Sequence, residues 1–133
     1  MSDDGYTIEQ AAERTGVSRH ALRYYERIGV LATVARGSGG HRRYTDDDLG
    51  AIGFVTLLRE TGMPIRDVRR FMDLTRGGEG TIPERVALLR GHRDAVRDRL
   101  ALEQRHLGAI ETKVGIYEAR LADTRTGRLE QSA

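Results

Sequence analysis

Apolar residues recur at helical spacing through most of this chain, and a glycine or a capping residue marks each break. Residues 1–5 carry no apolar anchor and are expected to be disordered. Thr7-Ile8-Glu9-Gln10 fits a capping box, in which Thr7 caps a helix and Gln10 reaches back to the cap amide. Ile8, Ala11 and Ala12 give that helix an apolar side, and Gly16 ends it. Ser18 caps a second helix from Arg19 to about Ile28. Leu22, Tyr25 and Ile28 fall at steps of three and face inward. Arg19, His20, Arg23, Tyr24 and Arg27 are left facing outward, and Gly29 stops the helix. Two short helices joined by a Gly-containing turn read as a helix-turn-helix, although many helical hairpins share the spacing. The next stretch changes period. Val30 to Val34 reads as a strand, Arg36 to Gly40 as a glycine-rich tip, and Arg42-Arg43-Tyr44 as a returning strand. That is the form of a wing.

Thr45 caps a third helix, and Asp46, Asp47 and Asp48 in its first turn complement the helix dipole. Leu49, Ile52, Phe54, Val55, Leu57 and Leu58 carry it to Gly62. Pro64 starts a fourth helix, with Ile65, Val68, Phe71, Met72 and Leu74 on its apolar side. Arg76-Gly77-Gly78-Glu79-Gly80 reads as a linker. Its glycines raise the question of phosphate binding. No strand precedes them, and neither a Lys-Ser/Thr pair nor a Gly-x-Gly-x-x-Gly pattern is present, so a hinge is the expectation. The organisation expected is therefore a compact unit over 6–75, a linker over 76–80, a long helix over 81–121 and a flexible tail over 122–133.

Thr81-Ile82-Pro83-Glu84 reads as a second capping box. From there a 4-3 spacing selects Ile82, Val86, Leu89, Arg93, Val96, Leu100, Glu103, Leu107, Ile110, Val114, Tyr117 and Leu121. Ten of these twelve are apolar, which is the pattern of a coiled-coil seam. A helix this long cannot bury its stripe on a small domain alone, so the simplest partner is a second copy of itself. In an antiparallel pair, facing residue numbers share a constant sum. A sum of 196 sets Arg93 opposite Glu103 and pairs Leu89 with Leu107, Val86 with Ile110, Ile82 with Val114 and Val96 with Leu100, each apolar on apolar. The expectation is an antiparallel homodimer in which this polar pair sets register more than stability. The alternative is that Arg93 and Glu103 lie at the seam edge with their heads in water.

Charge sharpens the picture by its location. The formal net charge of the chain is only +2. From Arg14 to Arg43, however, seven arginines meet one acid, Glu26, a local charge of +6. A compact basic surface with interleaved tyrosines is the footprint of a nucleic-acid reader. The chain has no cysteine, which excludes disulfides, thiolate metal sites and thiol redox sensing. No metal site and no cofactor are expected. His20 and His41 belong to the basic face, and His92 and His106 are too far apart on one helix to share an ion. No signal peptide and no membrane span are evident, so a cytoplasmic protein is expected. No nucleophile with a base and no paired carboxylates in a cleft are recognisable, so an enzyme is not expected.

The motifs Tyr-Thr-Ile-Glu-Gln-Ala-Ala (6–12), Leu-Arg-Tyr-Tyr-Glu-Arg-Ile-Gly-Val-Leu (22–31), Gly-His-Arg-Arg-Tyr (40–44) and Thr-Gly-Met-Pro-Ile (61–65) resemble the MerR family of bacterial transcription regulators over about residues 6–121. The resemblance implies a mainly α fold, a winged helix-turn-helix followed by a long antiparallel coiled-coil dimerisation helix. It implies a homodimer that binds double-stranded promoter DNA at a pseudo-palindrome and distorts an over-long spacer for RNA polymerase. By motif position, Arg23 would hold backbone or a base, Tyr24 phosphate, Arg42 and Tyr44 the wing contacts, and Arg59 phosphate. His41 stands where related wings often have tyrosine. Helix geometry makes Arg19 and His20 the candidates for base reading. Metal- and thiol-sensing relatives use cysteines that this chain lacks. Any effector would be a small molecule that is not thiol-reactive, with Phe54, Met72 and Tyr117 as candidate lining residues or plain core. The competing reading is an effector-independent architectural DNA-binding protein.

Overall fold

A computed structural model of the protein describes residues 5–32 and 43–132, with side chains to residue 127. Five α-helices follow one another: α1 Ile8–Thr15, α2 Arg19–Arg27, α3 Asp46–Glu60, α4 Ile65–Arg76 and α5 Ile82–Ser132, with a short 3-10 turn at Glu79–Thr81. Among the described residues there is no strand, only an isolated antiparallel bridge between Tyr6 and Tyr44.

The helix starts follow from local chemistry. Thr7 Oγ1 accepts the Gln10 amide at 3.1 Å, and Gln10 Oε1 accepts the Thr7 amide at 2.9 Å, a reciprocal capping box. Thr45 and Asp48 repeat it at the start of α3, at 3.1 and 2.8 Å. Ser18 Oγ accepts the Ala21 amide at 3.0 Å and starts α2. Gly16 ends α1 at φ +76°, a conformation that costs a glycine little.

Two compact units partition the chain, Met1–His92 and Arg93–Ala133. The first holds the core. Ala11 of α1, Leu22 of α2, Ile52, Val55 and Leu58 of α3, and Val68, Phe71 and Met72 of α4 are buried, together with Val30, Leu31, Tyr44 and Met63 from the connections. Leu88 and Leu89, in the first turns of α5, pack partly on the same core. The segment 76–80, expected as a linker between units, therefore lies inside the first unit. The second unit is the remainder of α5, where Leu100, Leu107, Ile110, Val114, Tyr117 and Leu121 are each between 48 and 60% exposed.

Three local expectations are corrected. Val30 and Leu31 do not begin a strand. Their amides both donate to Tyr25 O, at 2.9 and 3.1 Å, and fold the chain over the end of α2 after Gly29 at φ +82°. Their apolar character serves the core. The rest of the expected wing, including His41 and Arg42, lies outside the described residues. Thr81 is not an N-cap. It sits in the 3-10 turn, where its hydroxyl lies 2.6 Å from Leu74 O and 2.7 Å from Gly78 O and accepts from Arg85 Nε at 2.9 Å. Glu84 pairs instead with Arg70 of α4 at 3.3 Å. Finally, α5 continues to Ser132 and does not give way to a tail at Ala122. No proline interrupts that stretch, and most of its residues are compatible with a helix.

Leu22 is the one fully buried residue of α2. Its replacement by alanine is expected to cost about 2–5 kcal/mol of unfolding free energy, read from urea denaturation. A loss well below 1 kcal/mol would mean that α2 is not seated by this side chain.

Candidate nucleic-acid interface

α2 is a helix with two opposed faces. Leu22 is buried, and Tyr25 and Ile28 are half-buried against the core. Arg19, His20, Arg23, Tyr24 and Arg27 are all exposed, as the spacing predicts. The two aromatic faces meet at the helix edge, with the Tyr24 and Tyr25 rings 6.0 Å apart. Arg27 lies over the Tyr24 ring at 5.6 Å, so the tyrosine and the guanidinium share one surface.

Neighbouring elements steady this face. Arg19 Nη1 donates to Glu9 Oε2 of α1 at 3.1 Å. The Glu9 carboxyl is held below its ordinary value, first by a hydrogen bond from its own backbone amide and then by Arg19. Both groups are exposed, so the pair adds little to stability and leaves Arg19 free to change partner. Tyr6 OH donates to Asp46 Oδ1 at 2.8 Å, and that hydrogen bond, then the Asp46 charge, raises the Tyr6 pKa. Arg14 covers the Tyr6 ring at 4.6 Å. Arg19 and His20 occupy the first turn of α2, the part of a second helix that faces base edges in a major-groove reader.

Residues 6–75 match the family described as MerR HTH family regulatory protein. The chain belongs to the MerR family. It is 42% identical over 83 residues to an uncharacterised HTH-type transcriptional regulator of Haemophilus influenzae, and 40% identical over 81 residues to the regulator YyaN of Bacillus subtilis. Those matches span 62% and 55% of the relatives' lengths and 62% and 61% of this MerR-family chain. Solved structures extend the likeness. A MerR family regulator from Listeria monocytogenes shares 31% identity at a TM-score of 0.85, over 91% of this chain and 92% of that one. HiNmlR, described as a MerR family regulator lacking the sensor domain and bound to promoter DNA, shares 36% identity at a TM-score of 0.78, over 90% and 94%. These relatives are described as regulators, one of them solved on promoter DNA.

Other candidate residues of this MerR chain are placed differently from α2. Tyr44 is fully buried and is corrected from a wing contact to a core residue. It exchanges both backbone hydrogen bonds with Tyr6 at 2.7 Å, and its hydroxyl donates to Glu26 Oε2 at 2.9 Å. Arg59 is exposed at the end of α3, and its Nη1 donates to Met63 O at 2.8 Å. Phe54 packs on Phe71 with ring centroids 5.4 Å apart, and Met72 is buried, so both are core residues of the first unit. Tyr117 belongs to the second unit and is 54% exposed, with Arg120 and Lys113 over its ring at 5.5 and 6.0 Å.

Arg76 is the residue the sequence reading missed. Treated as the start of a linker, it is the last residue of α4. Its Nη2 donates to Gly29 O and Val30 O, both at 3.1 Å, while its Nη1 donates to Asp73 at 2.6 Å. It thereby fastens the turn that ends α2. An arginine followed by two glycines signals a helix end, but nothing local tells which carbonyls 46 or 47 residues away it meets.

Tyr44→Phe separates the two roles considered for Tyr44. Loss of the hydroxyl should lower stability by about 1–2 kcal/mol, the worth of one hydrogen bond to a carboxylate. The salt dependence of DNA binding should stay as in the unmodified chain. A shallower salt slope without loss of stability would return Tyr44 to the phosphate contacts.

Proposed function

We propose that the protein is a transcription regulator that binds double-stranded promoter DNA as a homodimer. The observation that carries this reading is the exposed face of α2, with Arg19, His20, Arg23, Tyr24 and Arg27 on one side of a helix whose other side is buried. The likeness to a family member solved on promoter DNA supports it. Arg19 and His20 would read base edges. Arg23, Tyr24 and Arg59 would hold phosphates, with His41 and Arg42 as additional contacts. The DNA would be a pseudo-palindrome that the dimer bends and untwists, so that RNA polymerase engages both promoter elements.

The homodimer would form through α5. The exposed stripe of Leu100, Leu107, Ile110, Val114, Tyr117 and Leu121, with the exposed Ile82 and Val86 before it, is apolar surface that an isolated helix leaves in water, and the half-buried Leu89 and Val96 would continue the seam. Around Ile110, Val114, Tyr117 and Leu121 it forms one open apolar face. Among the described residues, Arg93 pairs with its neighbour Asp94 at 3.1 Å and Glu103 with His106 at 3.7 Å. These exposed local pairs are weak, and both charges are available to the antiparallel register that sets Arg93 against Glu103.

A small, non-thiol effector would act on the distortion step. An effector-independent accessory role is the second reading. It is favoured by the likeness to a regulator described as lacking the sensor domain and by the absence of cysteine.

Selection of bound genomic fragments, followed by titration of the best site, tests the function. Log K should fall linearly with log salt, and Arg23→Ala should make the slope shallower by about 1. Arg19→Ala should instead relax sequence preference. Equal binding to every sequence would remove the regulator reading in favour of the accessory one. For the dimer, Glu103→Arg should weaken self-association in sedimentation, while exchange of both charges, R93E with E103R, should preserve it. Unchanged sedimentation of Glu103→Arg would contradict the register.

A further inference from the structure

Within the first unit, a polar contact joins α5 to the connection between α3 and α4. His92 Nε2 lies 2.7 Å from Thr61 Oγ1, and both side chains are half-buried. Thr61 is the C-cap residue of α3. Its hydroxyl also lies 2.8 Å from Leu57 O and 3.1 Å from Leu58 O. A hydroxyl has one proton to give. Given back to a carbonyl of its own helix, it leaves the oxygen to accept a hydrogen bond from the imidazole.

Beyond Thr61 the chain turns through Gly62 at φ +93°. Met63 then anchors the loop from below with a buried side chain, and its carbonyl is held by Arg59 Nη1 at 2.8 Å. The loop is thus tied to α3 by Arg59, to the core by Met63 and to α5 by His92. On α5, His92 stands three residues after Leu89 and four before Val96, two residues of the proposed seam, and each is half-buried. One side chain therefore links the flank of the dimer helix to the loop whose Met63 carbonyl holds Arg59, a proposed phosphate contact at the end of α3.

We infer that His92 is a positioning residue, which as its Nε2–H tautomer ties α5 to the α3–α4 loop and so sets how Arg59 meets DNA. The consequence for DNA rests on the function proposed above; the tie does not. It makes the loop's orientation depend on the seating of α5. A shift of the dimer helix would reach the DNA contact through this hydrogen bond.

The tie is tested first by imidazole nitrogen NMR on the full chain. A proton on His92 Nε2 is expected, and a neutral Nδ1–H tautomer overturns the inference. The second readout is affinity for the selected DNA site. Loss of one such hydrogen bond in His92→Leu should weaken binding about five- to tenfold, make the salt slope shallower, and be non-additive with Arg59→Ala. His92→Gln, whose amide nitrogen takes the place of Nε2, and Thr61→Ser should recover binding. Thr61→Val should mimic His92→Leu, and dimerisation by sedimentation should be unchanged throughout. If His92→Leu does not fold, His92→Asn, whose amide stops short of Thr61, replaces it. A lower melting temperature with unchanged affinity, slope and additivity would make His92 a structural clamp and overturn the proposal. If the wild-type chain binds no specific site, the functional reading fails on its own. The tie is then judged by amide exchange at Gly62 and Met63, which should quicken in His92→Leu and recover in His92→Gln; unchanged exchange overturns it.

Discussion

Seating of α2 on the core is the constraint on which the rest depends. A nine-residue helix has too little length to hold itself together in water. It persists because Ser18 starts it, Leu22 buries one side, and the amides of Val30 and Leu31 close back onto Tyr25 O. The same burial decides its roll. With Leu22 inward, Arg19, Arg23 and Tyr24 have nowhere to go but water. Arg76 fastens the turn after α2 to α4, so the basic face is held by the domain and not by the helix alone.

The periodic parts of this arrangement were legible from the chain. Capping boxes, glycine stops and the inward spacing of Leu22, Tyr25 and Ile28 are local signals, and local signals decided them. Tyr44 and Arg76 were misread because their partners are distant. A tyrosine beside two arginines looks like a backbone contact, until the Tyr6 bridge draws it under Glu26. Thr81 failed differently. The residue types of a capping box were present, but the chain enters α5 through a 3-10 turn in which that hydroxyl meets carbonyls and the Arg85 side chain.

α5 serves two environments. Its first turns, at Leu88 and Leu89, finish the core of the first unit, whereas from Leu100 onward its apolar stripe is exposed within one chain. The division between compact units consequently falls within the helix, at His92 and Arg93, and not at the glycines before it. The start of α5 thus belongs to the same unit as the core. His92, at the end of the first unit, makes a polar contact with Thr61 of the α3–α4 loop.

The central claim is that two copies of the α2 face read one DNA site. Hydroxyl-radical footprinting of the tightest selected fragment tests it most directly. The account requires two protected patches related by a dyad, spaced by whole helical turns so that both lie on one side of the duplex. A single protected patch, or uniform protection without a dyad, would contradict it.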